Sequence, residues 1–165
     1  QRDDERMKSF HQVMDFLHLE MHSYSDLSND NLEDITVAQL DADFIRPVIE
    51  SFSPGMVISH SVHDGNQHHE KVAKAVQIAS REVPILYSFV PPENLPRSPG
   101  FRPNVYITLS AQYVENKCKA FMKYDQDKGA DHIRSYEGIK TDAEFHGRII
   151  GARYAEALCA ERLIL

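Results

Sequence analysis

Four of the nine histidines in this 165-residue chain fall within ten positions: His60, His63, His68 and His69. Asp64 and Asn66 lie among them, so the segment Val57-Ile58-Ser59-His60-Ser61-Val62-His63-Asp64-Gly65-Asn66-Gln67-His68-His69 gathers imidazole, carboxylate and amide groups in one place. Imidazole suits zinc, and a catalytic zinc commonly takes three protein ligands and a water. The segment lies where a strand gives way to a helix, the rim at which open α/β sheets bind their ligands. Helix geometry limits what it can do. Adjacent His68 and His69 point about 100° apart, so one helix cannot aim both at one ion. Spacing alone leaves two readings open: a metal site that combines one helix-start histidine with groups from elsewhere, or a solvated polar loop.

The surrounding pattern defines the elements that hold these groups. Met7, Phe10, Val13, Met14 and Leu17 recur at helical spacing over Asp4–Leu17. Leu19–Tyr24 reads as a short strand, and Ser25–Asp34 as a polar loop. A second amphipathic helix runs through Val37, Leu40, Phe44, Val48, Ile49 and Phe52, with Thr36 as its N-cap and Pro47 as a kink. Ser53-Pro54-Gly55 breaks the chain before the apolar strand Met56–His60. A helix from His68 to Arg81 and strands at Ile85–Val90 and Val105–Leu109 follow. Between those strands, Pro91–Pro103 holds five of the eight prolines and reads as an ordered loop. Ser110 caps a helix that ends at Tyr124, and Asp125–Lys140 reads as polar loop. Thr141-Asp142-Ala143-Glu144 opens the last helix as a capping box, and a helix-like tail completes the chain. Gly147 and Gly151, one turn apart, allow close packing. Strands alternating with helices predict an α/β sandwich on a mainly parallel sheet, in a single domain over 1–165. The chain opens on a polar helix rather than a buried strand, as though a first strand–helix–strand unit were missing.

Composition excludes several functions. Hydrophobic residues make up 42% and charged residues 26%, ordinary values for a globular domain. No run approaches the ~18 apolar residues of a membrane span. Gln1–Lys8 is charged, so no secretory leader is expected on the sequence as it stands. A net charge of −7 repels phosphate backbones and argues against nucleic acid as a partner. Cys118 and Cys159 both fall in helical patterns and read as reduced thiols, which points to a cytoplasmic setting.

The histidine segment resembles the zinc-dependent N-deacetylases of the LmbE/PIG-L type, in which a strand ends in His and Asp-x-His/Asn-x-Asp-His opens a helix. Three further stretches are similar in the same order. "LYSFVPPENL…FRPNVYITLSAQYVENKCKAFMKYDQD" resembles the family's strand, proline loop, Phe-x-Pro-Asn, strand and helix. "DHIRSYEGI" and "HGRIIGARYAEALCAERLI" resemble segments of its bacterial sugar-modifying branch. The similarity covers about residues 55–165 in detail and 1–54 only in layout. It implies a Rossmann-like three-layer sandwich, of which this chain would be the C-terminal portion. The family's N-terminal His-Pro-Asp-Asp-Glu loop, which supplies two metal ligands and the general base, has no counterpart in this sequence.

The resemblance implies a hydrolase that removes an N-acetyl group from an amino sugar or its conjugate, with zinc as cofactor. His69 takes the place of the family's third metal ligand. Asn66 stands where many members place an oxyanion-stabilising His, and His68 replaces the acid usually beside the metal His. One matched ligand implies weak or no zinc binding by this chain alone. The alternative is a non-catalytic or truncated member that keeps a sugar-binding pocket. Other residues keep two readings. His60 lines the pocket or ends the strand. Asp64 shapes the turn or contacts ligand or metal shell. His132 and Arg134 bind a sugar or phosphate, or form an exposed loop pair. Glu156 is a surface charge or a partner of Arg134 or Arg148. Tyr154 reads as core. The strand Met56–His60, if it lies at a sheet edge, favours self-association into homo-oligomers.

Overall fold

Thr36 starts its helix as the sequence predicts. Its hydroxyl accepts the Gln39 N–H while the Gln39 side chain accepts the Thr36 N–H, a reciprocal cap on the first turn. The helix then changes character. α3 (Val37–Gln39) passes into a π-helical segment, Leu40–Ile45, and resumes as α4 (Arg46–Phe52). Pro47 sits in the first turn of α4 and cannot donate into a regular ladder, so the chain widens just before it. Asp41, buried in the widened turn, is paired with Arg46.

The computed structural model describes residues 2–19, 29–124 and 132–164. The expected strand Leu19–Tyr24 lies, from residue 20 onward, outside them. The described elements are α1 (Arg2–Leu17), α2 (Asn29–Asp34), α3 and α4, β1 (Met56–His60), α5 (Gln67–Ala79), β2 (Ile85–Phe89), a short 3-10 helix (Pro92–Arg97), β3 (Val105–Thr108), α6 (Ala111–Tyr124), α7 (Tyr136–Ile149) and β4 (Ala155–Leu163). The chain divides into two compact units, residues 1–22 with 106–156 and residues 23–105 with 157–165.

In the first unit, α1 and α7 both pack on α6. Val114, Cys118, Ile139, Ala143 and Tyr154 form its core, with Leu109, Phe121 and Met122 against them. Gly147 permits the tight return after α7, since a Cβ there would lie 2.7 Å from the Arg153 carbonyl. Glu156 is paired with Lys117. In the second unit, α5 packs on the π-helical segment and on β1, and Leu40, Ala73, Ala75, Val83 and Leu86 are buried.

Among the described residues, four strands form one sheet in the order β1-β2-β4-β3. β1 pairs with β2 in parallel, from Met56↔Ile85 to His60↔Phe89. β4 pairs with β2 antiparallel, with an irregularity between Leu86 and Tyr87. The α/β class is as expected, but the sheet is mixed rather than mainly parallel. The cause lies in residues 155–163, which read as a helix-like tail and instead form β4. Their composition suits a helix, but hydrogen bonds to β2 and to Asn104 override local propensity. Cys159 therefore lies in a strand, while Cys118 lies in α6 as predicted; both are free thiols.

Two helix starts also differ from the sequence reading. α7 begins at Tyr136, where Ser135 caps the Gly138 N–H, so Thr141–Glu144 lies inside it. Part of the expected loop Ser25–Asp34 forms α2. Lys71 of α5 binds the Leu32 and Glu33 carbonyls at its end. Among the described residues, no helix is long and apolar enough to cross a membrane.

Candidate functional site

The site begins at the carboxyl end of β1. Ser61 donates its N–H to the Phe89 carbonyl, which extends the β1–β2 pairing by one step. The chain then turns, with the Asp64 N–H bound to the Ser61 carbonyl at 3.1 Å. The Asp64 carboxylate accepts the Asn66 N–H at 2.8 Å, a local Asx turn. Asn66 N-caps α5, its Oδ1 accepting the His68 N–H at 2.9 Å. These bonds set the helix start and so fix where His69 emerges.

His69 turns back toward the loop. Its Nδ1 lies 2.8 Å from Asp64 Oδ2, and the Asp64 side chain is 0% exposed. Asp64 Oδ1 accepts from the Asn66 N–H and from the Asn94 amide, each at 2.8 Å. A carboxylate offers only acceptors, so the ring nitrogen facing it must be the donor. His69 then presents Nδ1–H to Asp64, with Nε2 on the opposite side of the ring.

His60 closes the other side. Its ring stacks on that of His69, with centroids 3.8 Å apart and planes 15° from parallel, and it also meets Phe89 at 4.8 Å. Burial, followed by the neighbouring His69, pulls the His60 pKa down to about 4, against the opposing pull of Asp64 and Glu93. The ring is therefore neutral near pH 7. Its Nδ1 is buried without a hydrogen-bond partner, 3.9 Å from Asp64 Oδ2. Among the described residues, His60, Asp64 and His69 form the one group of three His, Cys or acidic side chains whose ligand atoms lie within 4.8 Å of one another.

The predicted residues separate into two places. His60, Asp64, Asn66 and His69 come together in the second unit. His132 and Arg134 belong to the first, in a turn where His132 Nδ1 accepts the Arg134 N–H at 3.0 Å. Asp64 shapes its turn, one of its two sequence readings, and also touches His69. His68 points toward Glu33, its Nε2 3.9 Å from Oε1. The carboxylate beside His69 thus comes from Asp64, five positions earlier, and not from position 68. Sequence reasoning missed Asn94 and Ser98. Both come from the proline-rich stretch, and only the density of prolines there signalled an ordered loop.

No family model matches the chain, and no curated protein does. Solved structures do. A conserved protein from Thermus thermophilus, TT1542, superposes with a TM-score of 0.74 at 17% identity, over 98% of this chain and 75% of that one. A deacetylase–bog complex from the teicoplanin biosynthesis pathway gives 0.69 at 16% identity, over 94% and 72%. The zinc-inhibited form of teicoplanin deacetylase Orf2 gives 0.66 at 16% identity, over 94% and 73%. At these identities the likeness establishes a shared fold.

Proposed function

We propose that this chain carries the β1–α5 wall of a zinc-dependent hydrolase site that removes an N-acetyl group from an amino sugar or its conjugate. One observation carries the reading: a sealed carboxylate, Asp64, holds His69 by Nδ1 at 2.8 Å and leaves Nε2 as a ligand nitrogen. Carboxylate–histidine pairs of this kind orient metal-binding imidazoles and raise their basicity. Imidazole nitrogen is a common zinc ligand. The deacetylases among the similar folds, one of them in a zinc-inhibited form, support the same direction.

In this reading His69 holds the metal through Nε2. Bound zinc would polarise the acetamide carbonyl and lower the pKa of water for attack. Asp64 acts as the orienting group for His69, with hydrogen bonds to both of its oxygens. Asn66 spends Oδ1 on capping α5, so its amide nitrogen is the end that can donate to developing negative charge. The neutral His60 ring packs on His69 and lines the pocket for the substrate. Considered by itself, the turn in which His132 Nδ1 accepts the Arg134 N–H is proposed as a sugar- or phosphate-contacting element.

A second reading keeps the pocket without turnover. It is favoured by the fact that, among the described residues, no second acidic group joins Asp64 in the cluster. Acetate release from an acetylated amino sugar, with zinc and with chelator, tests the first reading. Zinc-dependent release that is lost in His69→Ala supports it. Binding of the sugar by folded protein with no release at any zinc concentration replaces it with the second.

A further inference from the structure

The Asp64–His69 pair does not stand alone. The 3-10 helix Pro92–Arg97 lies against the turn that carries it and makes three distinct contacts there. The Asn94 amide donates to Asp64 Oδ1 at 2.8 Å. The Ser98 hydroxyl donates to the Asn94 carbonyl at 2.8 Å and accepts the Gly65 N–H at 2.8 Å, so one side chain ties the Asn94 backbone to the turn. The third is steric: a Cβ on Gly65 would lie 2.5 Å from Arg97 Cβ and 2.8 Å from the Arg97 carbonyl oxygen, so the two backbones touch. Asn94 is 8% exposed, and water cannot readily replace its amide on a carboxylate that is itself sealed.

The same Asn94 amide nitrogen lies 3.4 Å from His69 Nδ1. Two proton arrangements compete there. If Nδ1 carried the lone pair, Asn94 could donate to it at 3.4 Å, but Nδ1 would then face the Asp64 oxygen at 2.8 Å with no proton between them. The shorter contact decides, because hydrogen bonds weaken with distance and acceptor–acceptor contacts at 2.8 Å repel. Asn94 and His69 therefore both donate to Asp64, one to each oxygen. With the Asn66 N–H, these bonds fix the plane of the carboxylate.

We propose that Asn94 is a positioning residue that fixes the Asp64 carboxylate and thereby locks the His69 proton on Nδ1, leaving Nε2 free for a metal. This rests on the zinc reading above for its purpose, though not for its geometry. Without the Asn94 amide, Asp64 Oδ1 keeps only the Asn66 N–H and the carboxylate can turn. His69 then exchanges its proton and its orientation more freely.

The test uses metal-free protein labelled with ¹⁵N in histidine. Long-range proton–nitrogen spectra should show wild-type His69 as the Nδ1–H form, with its proton slow to exchange. In Asn94→Leu and Asn94→Ala, circular dichroism checks folding. The Nδ1 proton should then exchange at least tenfold faster, and zinc affinity measured by competition with a chromophoric chelator should fall about tenfold. A wild-type His69 protonated on Nε2 overturns the proposal without any variant. So does a folded variant with wild-type proton exchange and wild-type zinc affinity. If the proton readout moves as expected while no acetate is ever released, the Asn94 assignment holds and the hydrolase reading fails. If acetate is released while the proton readout does not move, the reverse follows.

Discussion

Asp64 Oδ2 lies 2.8 Å from His69 Nδ1, across the turn that joins β1 to α5. Asp64→Asn would place an amide where three donors already converge, so either an N–H loses its partner or His69 must move its proton to Nε2. The expected cost is about 1–3 kcal/mol of stability, read as a lower Tm. Zinc affinity should fall about 10–100-fold. An Asp64→Asn protein with wild-type Tm and affinity would remove Asp64 from the account.

His69 and His68 are adjacent yet face different partners, so their alanine variants should differ. His69→Ala should eliminate zinc binding in a titration, while His68→Ala should leave it near wild type. His68→Asp would set a carboxylate near Glu33, whose Oε1 lies 3.9 Å from the present ring nitrogen. That variant should lose stability without gaining activity. Equal losses of zinc binding from both alanine variants would count against the assignment.

His60 gives the acid limb of the stability curve a defined sign. Its pKa is near 4 in the fold and 6.5 in the unfolded chain, so the unfolded state binds more protons between those values. Stability from this group is fully present above about pH 6.5 and is lost as pH falls through about 4. In chelator-treated protein, urea midpoints should decline over that window, and His60→Phe should flatten the decline. An unchanged slope in the variant would contradict the neutral, buried ring.

Two glycines touch the site with different tolerances. Gly65→Ala meets Arg97 backbone and Cβ, which cannot move without shifting the helix that carries Asn94. A loss of about 1–3 kcal/mol and faster exchange of the His69 proton are expected. Gly100→Ala meets the His63 ring at 2.8 Å, an exposed side chain that can swing aside. Thermal unfolding of both variants should show the larger loss at Gly65, and the opposite order would show that the 3-10 helix is not held against the turn.

Met56 and Ile58, 47% and 53% exposed, lie on one face of β1, which among the described residues pairs only with β2. An apolar strand at a sheet edge invites pairing between copies. Ile58→Lys should reduce concentration-dependent association in sedimentation while leaving Tm within about 0.5 kcal/mol equivalent of wild type. Association unchanged by the substitution would place any self-contact elsewhere.

Much of the frame was legible because local chemistry decided it. Thr36 and Ser110 cap helices through side chains that prefer that position, and the apolar run Met56–His60 forms the strand expected of it. The histidine segment was legible as chemistry, and its placement at a strand end followed from the alternation of elements. What failed was long-range. Residues 155–163 look helical by composition, and only pairing with β2 makes them β4. Asn94 lies thirty positions from Asp64, so no local period could reveal their contact. The orienting carboxylate was sought beside His69 in sequence, whereas the turn brings it from Asp64.

The central claim is that His69 offers Nε2 to a metal because Asp64 holds Nδ1. It is tested most directly by an anomalous difference map collected at the zinc edge from crystals grown with zinc. The account predicts a peak bonded to His69 Nε2, with Nδ1 still paired to Asp64. A peak on the Nδ1 side, shared among His60, Asp64 and His69, or no peak at His69 at full zinc saturation, would contradict it.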